Sequence, residues 1–174
     1  MKKIFFSAWS LLLCACLLFS KPTTIRETDF EFALPIGWKT MGQIWDDYSP
    51  KQDYKKLGVN EIITVTNFEK KGQKGIWFTV AGKDYDGGDL REELERVYSQ
   101  TTPAIPQYTI TQIEWKGYPT FVVKYRRPSG EPWWEFQDYW LVKDGQVYLL
   151  SFEALQLEEY AEEMQMILDS FVWK

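Results

Sequence analysis

Hydrophobic and polar residues alternate with a period of two over much of the second half of the chain, and again over a short stretch near residue 30. This alternation predicts β-strands, because successive side chains of a strand point to opposite faces of a sheet. β-Branched and aromatic runs indicate two more. The predicted strands are residues 30–34, 62–68, 76–80, 108–115, 120–127, 133–142 and 146–154.

Two other segments have apolar residues at helical spacing. Asp89 precedes the first as a helix cap, and Leu90 and Tyr98 then fall on one face. The second, residues 157–171, has an apolar stripe with glutamates on the opposite side. Since glycine-containing turns join the last four strands as hairpins, the pattern predicts an α+β fold. We expect a single antiparallel sheet of about six to seven strands packed with helices.

The first twenty residues have a different pattern. Lys2 and Lys3 are followed by a run, residues 4–19, that is apolar except for two serines. This order is typical of a secretory signal peptide. The run is shorter than the roughly 20 residues that a membrane-spanning helix needs, so a permanent anchor is the weaker interpretation.

Both cysteines of the chain lie in this leader. Leu13-Cys14-Ala15-Cys16 resembles a bacterial lipobox, which predicts that Cys16 is acylated and binds a lipid membrane. Cleavage by an ordinary signal peptidase near Ser20 and an uncleaved anchor are the alternatives. A redox pair is disfavoured, because it would require both cysteines to stay in a folded domain.

The lipobox interpretation divides the chain into three parts. Residues 1–15 are the signal peptide, residues 16–28 a lipidated tether and residues 29–174 the folded domain. The expected location is the bacterial cell envelope, on the outer membrane if the cell has two membranes.

Composition excludes several classes of function. The 174 residues include no histidine, whereas serine triads, cysteine–histidine dyads and the common zinc sites all need imidazole. Carboxylate chemistry, a serine–lysine dyad and calcium binding by oxygen ligands stay open. The formal net charge is −5, which does not favour nucleic acid as a partner. No cofactor is expected.

Asp84, Asp86 and Asp89 stand close together beside two glycines. Because Ca²⁺ takes oxygen ligands on a tight turn, these three residues are the candidate calcium ligands. The order of Gly88 and Asp89 does not fit the EF-hand loop. Asp and Gly are also ordinary turn and cap residues, so the favoured interpretation is a turn that leads into a helix cap without metal.

The densest aromatic stretch is residues 133–140. Alternation assigns one set of side chains to the core face: Trp134, Phe136, Asp138, Trp140 and Val142. Trp133, Gln137 and Tyr139 fall on the other face and mix aromatic with polar groups, as a sugar- or peptide-binding platform does. These three are the candidate ligand-binding residues. A half-exposed sheet face without a ligand would give the same pattern.

Four short stretches resemble the PsbP/Mog1-like family, which includes the DUF1795 and DcrB-like bacterial proteins. They are residues 30–38, which end in a Pro-x-Gly-Trp turn, and residues 115–119, 144–152 and 167–171. The resemblance implies an α/β/α sandwich, with one antiparallel sheet between helices. It also implies non-enzymatic roles, such as photosystem accessory subunit, Ran-binding factor, effector chaperone or envelope lipoprotein. The histidine metal sites of plant members are not carried over, because this chain has no histidine.

Signal, composition and resemblance together predict a non-enzymatic envelope lipoprotein that acts as a protein-binding or accessory/assembly module. Its expected partners are the membrane, through Cys16, and an envelope protein. The first alternative is a glycan- or cell-wall-binding module that uses the aromatic face at Trp133. The second is a carboxylate-based hydrolase, although no pair of carboxylates is singled out.

Overall fold

The computed structural model describes residues 22–41, 57–67, 75–100, 105, 107–127 and 133–174. The predicted signal peptide and Cys16 lie outside these ranges. The chain divides into two compact units, one formed by the residues up to Ile36 with Met166–Lys174, the other by Gly37–Gln165. No helix within the described part of the chain is both long and apolar enough to cross a membrane.

The seven predicted strands and the two predicted helices occur in the predicted order, and the structure adds three short strands that the sequence does not predict, Thr24–Arg26, Lys39–Thr40 and Val172–Trp173. The strands are β1 (Thr24–Arg26), β2 (Phe30–Ala33), β3 (Lys39–Thr40), β4 (Asn60–Thr66), β5 (Ile76–Asp84), β6 (Tyr108–Trp115), β7 (Tyr118–Arg127), β8 (Trp134–Lys143), β9 (Gln146–Ala154) and β10 (Val172–Trp173). Helix α1 is Leu90–Gln100, helix α2 is Ala161–Ser170, and a short 3-10 helix is Leu157–Tyr160.

The larger unit contains a seven-stranded antiparallel sheet in the order β3-β4-β5-β9-β8-β7-β6. The turns Lys116-Gly117 and Asp144-Gly145 join β6 to β7 and β8 to β9. In the first, φ is 52° and 83°, and positive φ at both positions gives the primed turn whose twist matches that of the strands. Trp115 and Tyr118 therefore face each other as the first pair of the ladder.

Helix α1 packs on one face of this sheet. Asp89 Oδ1 accepts hydrogen bonds from the backbone N–H groups of Arg91 at 2.8 Å and Glu92 at 3.2 Å, so the predicted helix cap is confirmed. The helix buries Leu90, Leu94 and Tyr98. Facing them is an apolar layer from the sheet that includes Trp77, Ala81, Val123, Tyr125, Trp134, Phe136, Trp140, Val147 and Leu149.

The aromatic residues carry much of this core. Trp77 and Trp140 are each 2% exposed. Burial of one such ring removes about 150–250 Å² from water, or roughly 4–6 kcal/mol of transfer free energy before the entropy cost is subtracted. The opposite face of the central strands is buried too, since Phe78, Leu150 and Phe152 are 0% exposed.

The smaller unit contains a three-stranded sheet in the order β1-β2-β10. The Phe171 ring stacks with Phe30 at a centroid distance of 5.2 Å and with Phe32 at 5.6 Å. The Trp173 ring meets Phe171 edge-on at 4.8 Å. Ser170 Oγ accepts a hydrogen bond from the backbone N–H of Ala33 at 3.0 Å. These contacts join segments far apart in the sequence.

The predicted α+β fold class is confirmed, and six of the seven predicted strands lie in one antiparallel sheet, to which β3 adds the seventh strand. One detail differs from the expectation of a single sheet. The first predicted strand, β2, pairs with β1 and β10 in the separate three-stranded sheet. Local alternation identified the strand, but it carries no information about which distant strand will pair with it.

Candidate binding surface

The predicted aromatic platform is not present as one exposed surface. Trp133 is 45% exposed, but Tyr139 is only 6% exposed. The Gln137 side-chain amide donates a hydrogen bond to the Tyr139 hydroxyl, and the Tyr139 ring meets Phe152 edge-on at 6.2 Å. Burial raises the pKa of Tyr139, and the Gln137 bond opposes that shift. The Tyr139 ring is therefore already covered by the protein itself, so its face is not open to stack on a ligand as the sequence predicts.

The candidate calcium ligands are used in local backbone bonds. Asp86 Oδ1 accepts from the Gly88 N–H at 3.3 Å, and Asp89 Oδ1 caps α1. Gly87 has a φ of 88°, which supplies the turn. Within the described ranges no three acidic side chains converge as a metal site would require, so Asp84, Asp86 and Asp89 are not brought together. The turn-and-cap interpretation accounts for the geometry.

One fully buried carboxyl group with several hydrogen-bond donors was not singled out as a site by the sequence. Asp138 is 0% exposed. Its carboxyl oxygens accept hydrogen bonds from Ser151 Oγ at 2.5 Å, Tyr98 Oη at 2.5 Å and Tyr125 Oη at 3.0 Å. Trp140 Nε1 donates in turn to Tyr98 Oη at 2.8 Å. We call these five residues the Asp138 cluster.

The Asp138 cluster lies on a polar row that crosses four neighbouring strands. Asp138 pairs with Ser151, Ser151 with Thr79 and Thr79 with Thr64. The Thr64 and Thr79 hydroxyls are 2.8 Å apart and hydrogen-bonded. The side chains of this row are buried and hydrogen-bonded to one another. Because Tyr98 of α1 donates to Asp138, the row can fix the position of α1 on the sheet. A substrate would have no access to Asp138 in this conformation, and its arrangement is structural.

An acidic residue at a core-facing position between two aromatics is the signal that could have revealed the cluster. Asp138 was correctly assigned to the core face, between Phe136 and Trp140. A buried carboxyl group needs hydrogen-bond donors, and the tyrosines of α1 and β7 were available. Their positions relative to Asp138 depend on tertiary packing, so the sequence could not identify which ones reach it.

The outer edge of β6 is an exposed surface on which another chain can bind. This strand is last in the sheet order, and it pairs with β7 without interruption over eight residues. Thr109, Thr111, Gln112, Ile113 and Glu114 are all exposed. The other edge of the sheet, β3, is only two residues long.

The hairpin geometry shows which backbone groups of β6 face outward. In a two-residue hairpin the flanking pair, Trp115 and Tyr118, exchanges hydrogen bonds across the ladder. Alternate residues then point away from the partner strand. The N–H and C=O groups of Tyr108, Ile110, Gln112 and Glu114 therefore point to the outer edge.

One face beside this edge combines apolar and cationic groups. Ile113 is 39% exposed, and Trp115 beside it is half-buried. Lys124 is exposed, lies directly opposite Thr109 in β7 and forms no ion pair with any described residue. Its neighbour Arg126 is bound by Glu135. Lys124 is thus an available positive charge on a chain with a net charge of −5.

Comparison with known proteins supports the fold. No family model matches the chain, and no curated protein matches it. A solution structure of a cyanobacterial PsbP (CyanoP) from Synechocystis aligns with a TM-score of 0.59 and 12% identity, covering 90% of this chain and 94% of that one. LpqN, which is involved in cell envelope biogenesis of Mycobacterium tuberculosis, aligns at 0.57 and 10%, covering 88% and 91%.

The Ran-binding protein Mog1p of Saccharomyces cerevisiae also aligns, with a TM-score of 0.52 and 9% identity over 87% of this chain and 95% of its own. Each of the three alignments covers most of this chain and most of the similar protein. The chain therefore has the PsbP/Mog1-like fold, as the resemblance of its short stretches predicted.

Proposed function

We propose that this chain is a non-enzymatic binding or accessory module of the bacterial cell envelope, held at a membrane by a lipid on Cys16. The observation that carries the binding role is the long exposed edge of β6, beside which Lys124 forms no ion pair with any residue that the structure describes. Two proteins of similar fold support a binding or accessory role, since LpqN is involved in cell envelope biogenesis and Mog1p is a Ran-binding protein.

The chemistry of the described residues also favours binding over catalysis. The chain has no histidine, and the buried acid Asp138 is enclosed by hydroxyl donors and aromatic rings. A hydrolase with two carboxylates would need both of them to reach a substrate. On α1, Glu95 forms an ion pair with Arg91 at 3.0 Å, and Glu93 forms one with Lys83 at 2.5 Å.

Site-specific photocrosslinking in intact cells tests the binding role. A photoreactive residue at Ile113 would lie on the β6 edge, and one at Glu95, on the exposed face of α1, is the matched control. We expect one recurrent envelope protein to be crosslinked from position 113 and not from position 95. If both positions yield the same bulk membrane proteins, or none, the binding role is refuted.

Metabolic labelling with a radioactive fatty acid tests the anchor. The wild-type chain should incorporate the label and fractionate with membranes. Cys16→Ser should lose the label, whereas Cys14→Ser should keep it, since only Cys16 follows the small residue of the lipobox. Equal labelling of Cys16→Ser and wild type would exclude the lipid anchor, and a labelled chain with an intact leader would exclude cleavage.

A further inference from the structure

We propose that β6 binds an extended peptide segment of the partner, which adds to the large sheet as an eighth strand. The segment carries an acidic residue four positions away from an apolar one, on the same face. This inference rests on the proposed binding function and specifies its mode and the chemistry of the partner.

The first argument is that β6 lacks the features that protect edge strands. Natural edges are kept short, broken by bulges, or blocked by Pro and Lys. β6 has eight residues in unbroken register with β7, contains neither Pro nor Lys, and has Glu114 as its single charge. An edge of this kind is a template for strand addition. The opposite edge of the sheet, β3, is protected by its length of two residues.

The second argument concerns the backbone groups available for pairing. Four residues, Tyr108, Ile110, Gln112 and Glu114, direct both N–H and C=O outward. They offer eight hydrogen-bonding groups at regular spacing. An added strand of about seven residues can pair with all of them, since alternate residues repeat every 6.6–6.8 Å or so along both strands.

The third argument concerns side-chain specificity. An added strand would place the side chains of one face beside Thr109, Thr111 and Ile113. An apolar side chain opposite Ile113 would cover that residue and the edge of Trp115. Roughly 13 Å further along the added strand, another side chain would lie opposite Thr109. The small Thr109 side chain would then stand between it and Lys124 of β7. The flexible four-carbon stem of Lys124 can reach over Thr109 to an acid there.

Charge complementarity selects a partner peptide over a second copy of this chain. In a symmetric antiparallel pair of β6 strands, side chains on one face meet side chains of the same face. On the Lys124 face β6 presents Thr109, Thr111, Ile113 and Trp115, none of which is acidic. A second copy would leave Lys124 without a counter-charge, whereas a partner segment with an acid at that position would supply one.

The test uses the full chain in detergent micelles, with a display library of random nine-residue peptides as the probe. We expect the enriched peptides to alternate β-branched and polar residues, with Asp or Glu four positions from an apolar residue. Lys124→Glu should lower the affinity for these acidic peptides by roughly tenfold. A selection on this variant should enrich Lys or Arg at the position that carries Asp or Glu with the wild-type chain. Arg126→Glu is the matched control, because Arg126 is already bound by Glu135, and it should not invert the selected charge.

Gln112→Pro tests the pairing itself. This change removes one outward N–H and no hydrogen bond to β7, since Gln112 points away from that strand. Amide exchange of β7 should remain as in wild type, while affinity for the selected peptides falls by at least tenfold. Enriched peptides that bind Gln112→Pro and Lys124→Glu as tightly as wild type would overturn the inference, and so would a library that yields no enrichment.

Analytical ultracentrifugation tests whether β6 pairs with a second copy of this chain instead of a partner peptide. A concentration-dependent dimer of the wild-type chain that Gln112→Pro abolishes would assign the edge to self-association and reject the partner peptide. If the crosslinking experiment instead finds an envelope partner that Gln112→Pro does not release, the binding role stands and only the β6 mode fails.

Discussion

The Asp138 cluster provides a quantitative prediction about stability. Asp138 accepts hydrogen bonds from three hydroxyls while fully buried. Removal of one hydroxyl leaves the others in place, so tyrosine-to-phenylalanine changes subtract single donors with almost no change of shape. Three tyrosines give a graded series: Tyr98, Tyr125 and, as a half-buried control whose hydroxyl does not reach Asp138, Tyr108.

The number of bonds that each hydroxyl makes sets the magnitude. The Tyr125 hydroxyl donates once to Asp138, and loss of a hydrogen bond that leaves a fully buried carboxyl oxygen short of a donor costs about 1.5–3 kcal/mol. Tyr98 also accepts from Trp140 Nε1, so Tyr98→Phe should cost about 2.5–4.5 kcal/mol of unfolding free energy. The exposed Tyr108 hydroxyl makes one long bond of 3.4 Å to the Glu95 carbonyl, so Tyr108→Phe should cost less than about 0.5 kcal/mol.

Urea unfolding followed by tryptophan fluorescence measures the series, with equal m-values required across the variants. Asp138→Ala should be the most destabilised, because it leaves three donors without their acceptor. The reasoning is refuted if Tyr98→Phe unfolds at the same urea concentration as Tyr108→Phe. It is also refuted if Asp138→Ala is as stable as wild type, since the cluster would then contribute nothing to folding.

Three further predictions concern single residues. Burial raises the pKa of Tyr139 above its usual 10.0. The neutral Tyr139 hydroxyl therefore contributes its full share of the unfolding free energy below pH 10, and that share is lost as the pH rises through the folded pKa. In pH-dependent unfolding, Tyr139→Phe should flatten this alkaline loss of stability. Asp89→Ala should lower the unfolding free energy by about 1 kcal/mol through loss of the α1 cap, whereas the control Asp86→Ala should change thermal stability by less than about 0.5 kcal/mol. Trp133→Ala should leave retention on purified cell wall unchanged, because the other ring of the predicted platform is buried; a loss of retention would restore the glycan-binding alternative.

Sequence patterns predicted the strands and helices well but not the coverage of the sheet faces. Alternation correctly placed Asp138 and Tyr139 on opposite faces of β8. It could not show that the Tyr139 face is buried as well, because a period of two reports only which side chains share a face. The exposed appearance of that face in the sequence came from Gln137, whose amide is used by the Tyr139 hydroxyl.

Non-local pairing accounts for what remained out of reach. The residues of β6 read as an ordinary strand, and its place at the edge depends on the order of seven strands. In the same way, β2 has the alternation of a sheet strand, but its partner Val172 lies far away in sequence. Asp89 was predictable because a helix cap is a local interaction within three residues.

The pairing of β2 with both β1 and β10 has a consequence for how the chain acquires its structure. The Ala33–Ser170 hydrogen bond joins residues 137 positions apart, so it belongs to the slowest class of contacts to close. A chain threaded from its amino end presents Phe30 and Phe32 long before the rings of Phe171 and Trp173 are available to cover them. During that interval the exposed apolar side chains of β2 need protection from aggregation.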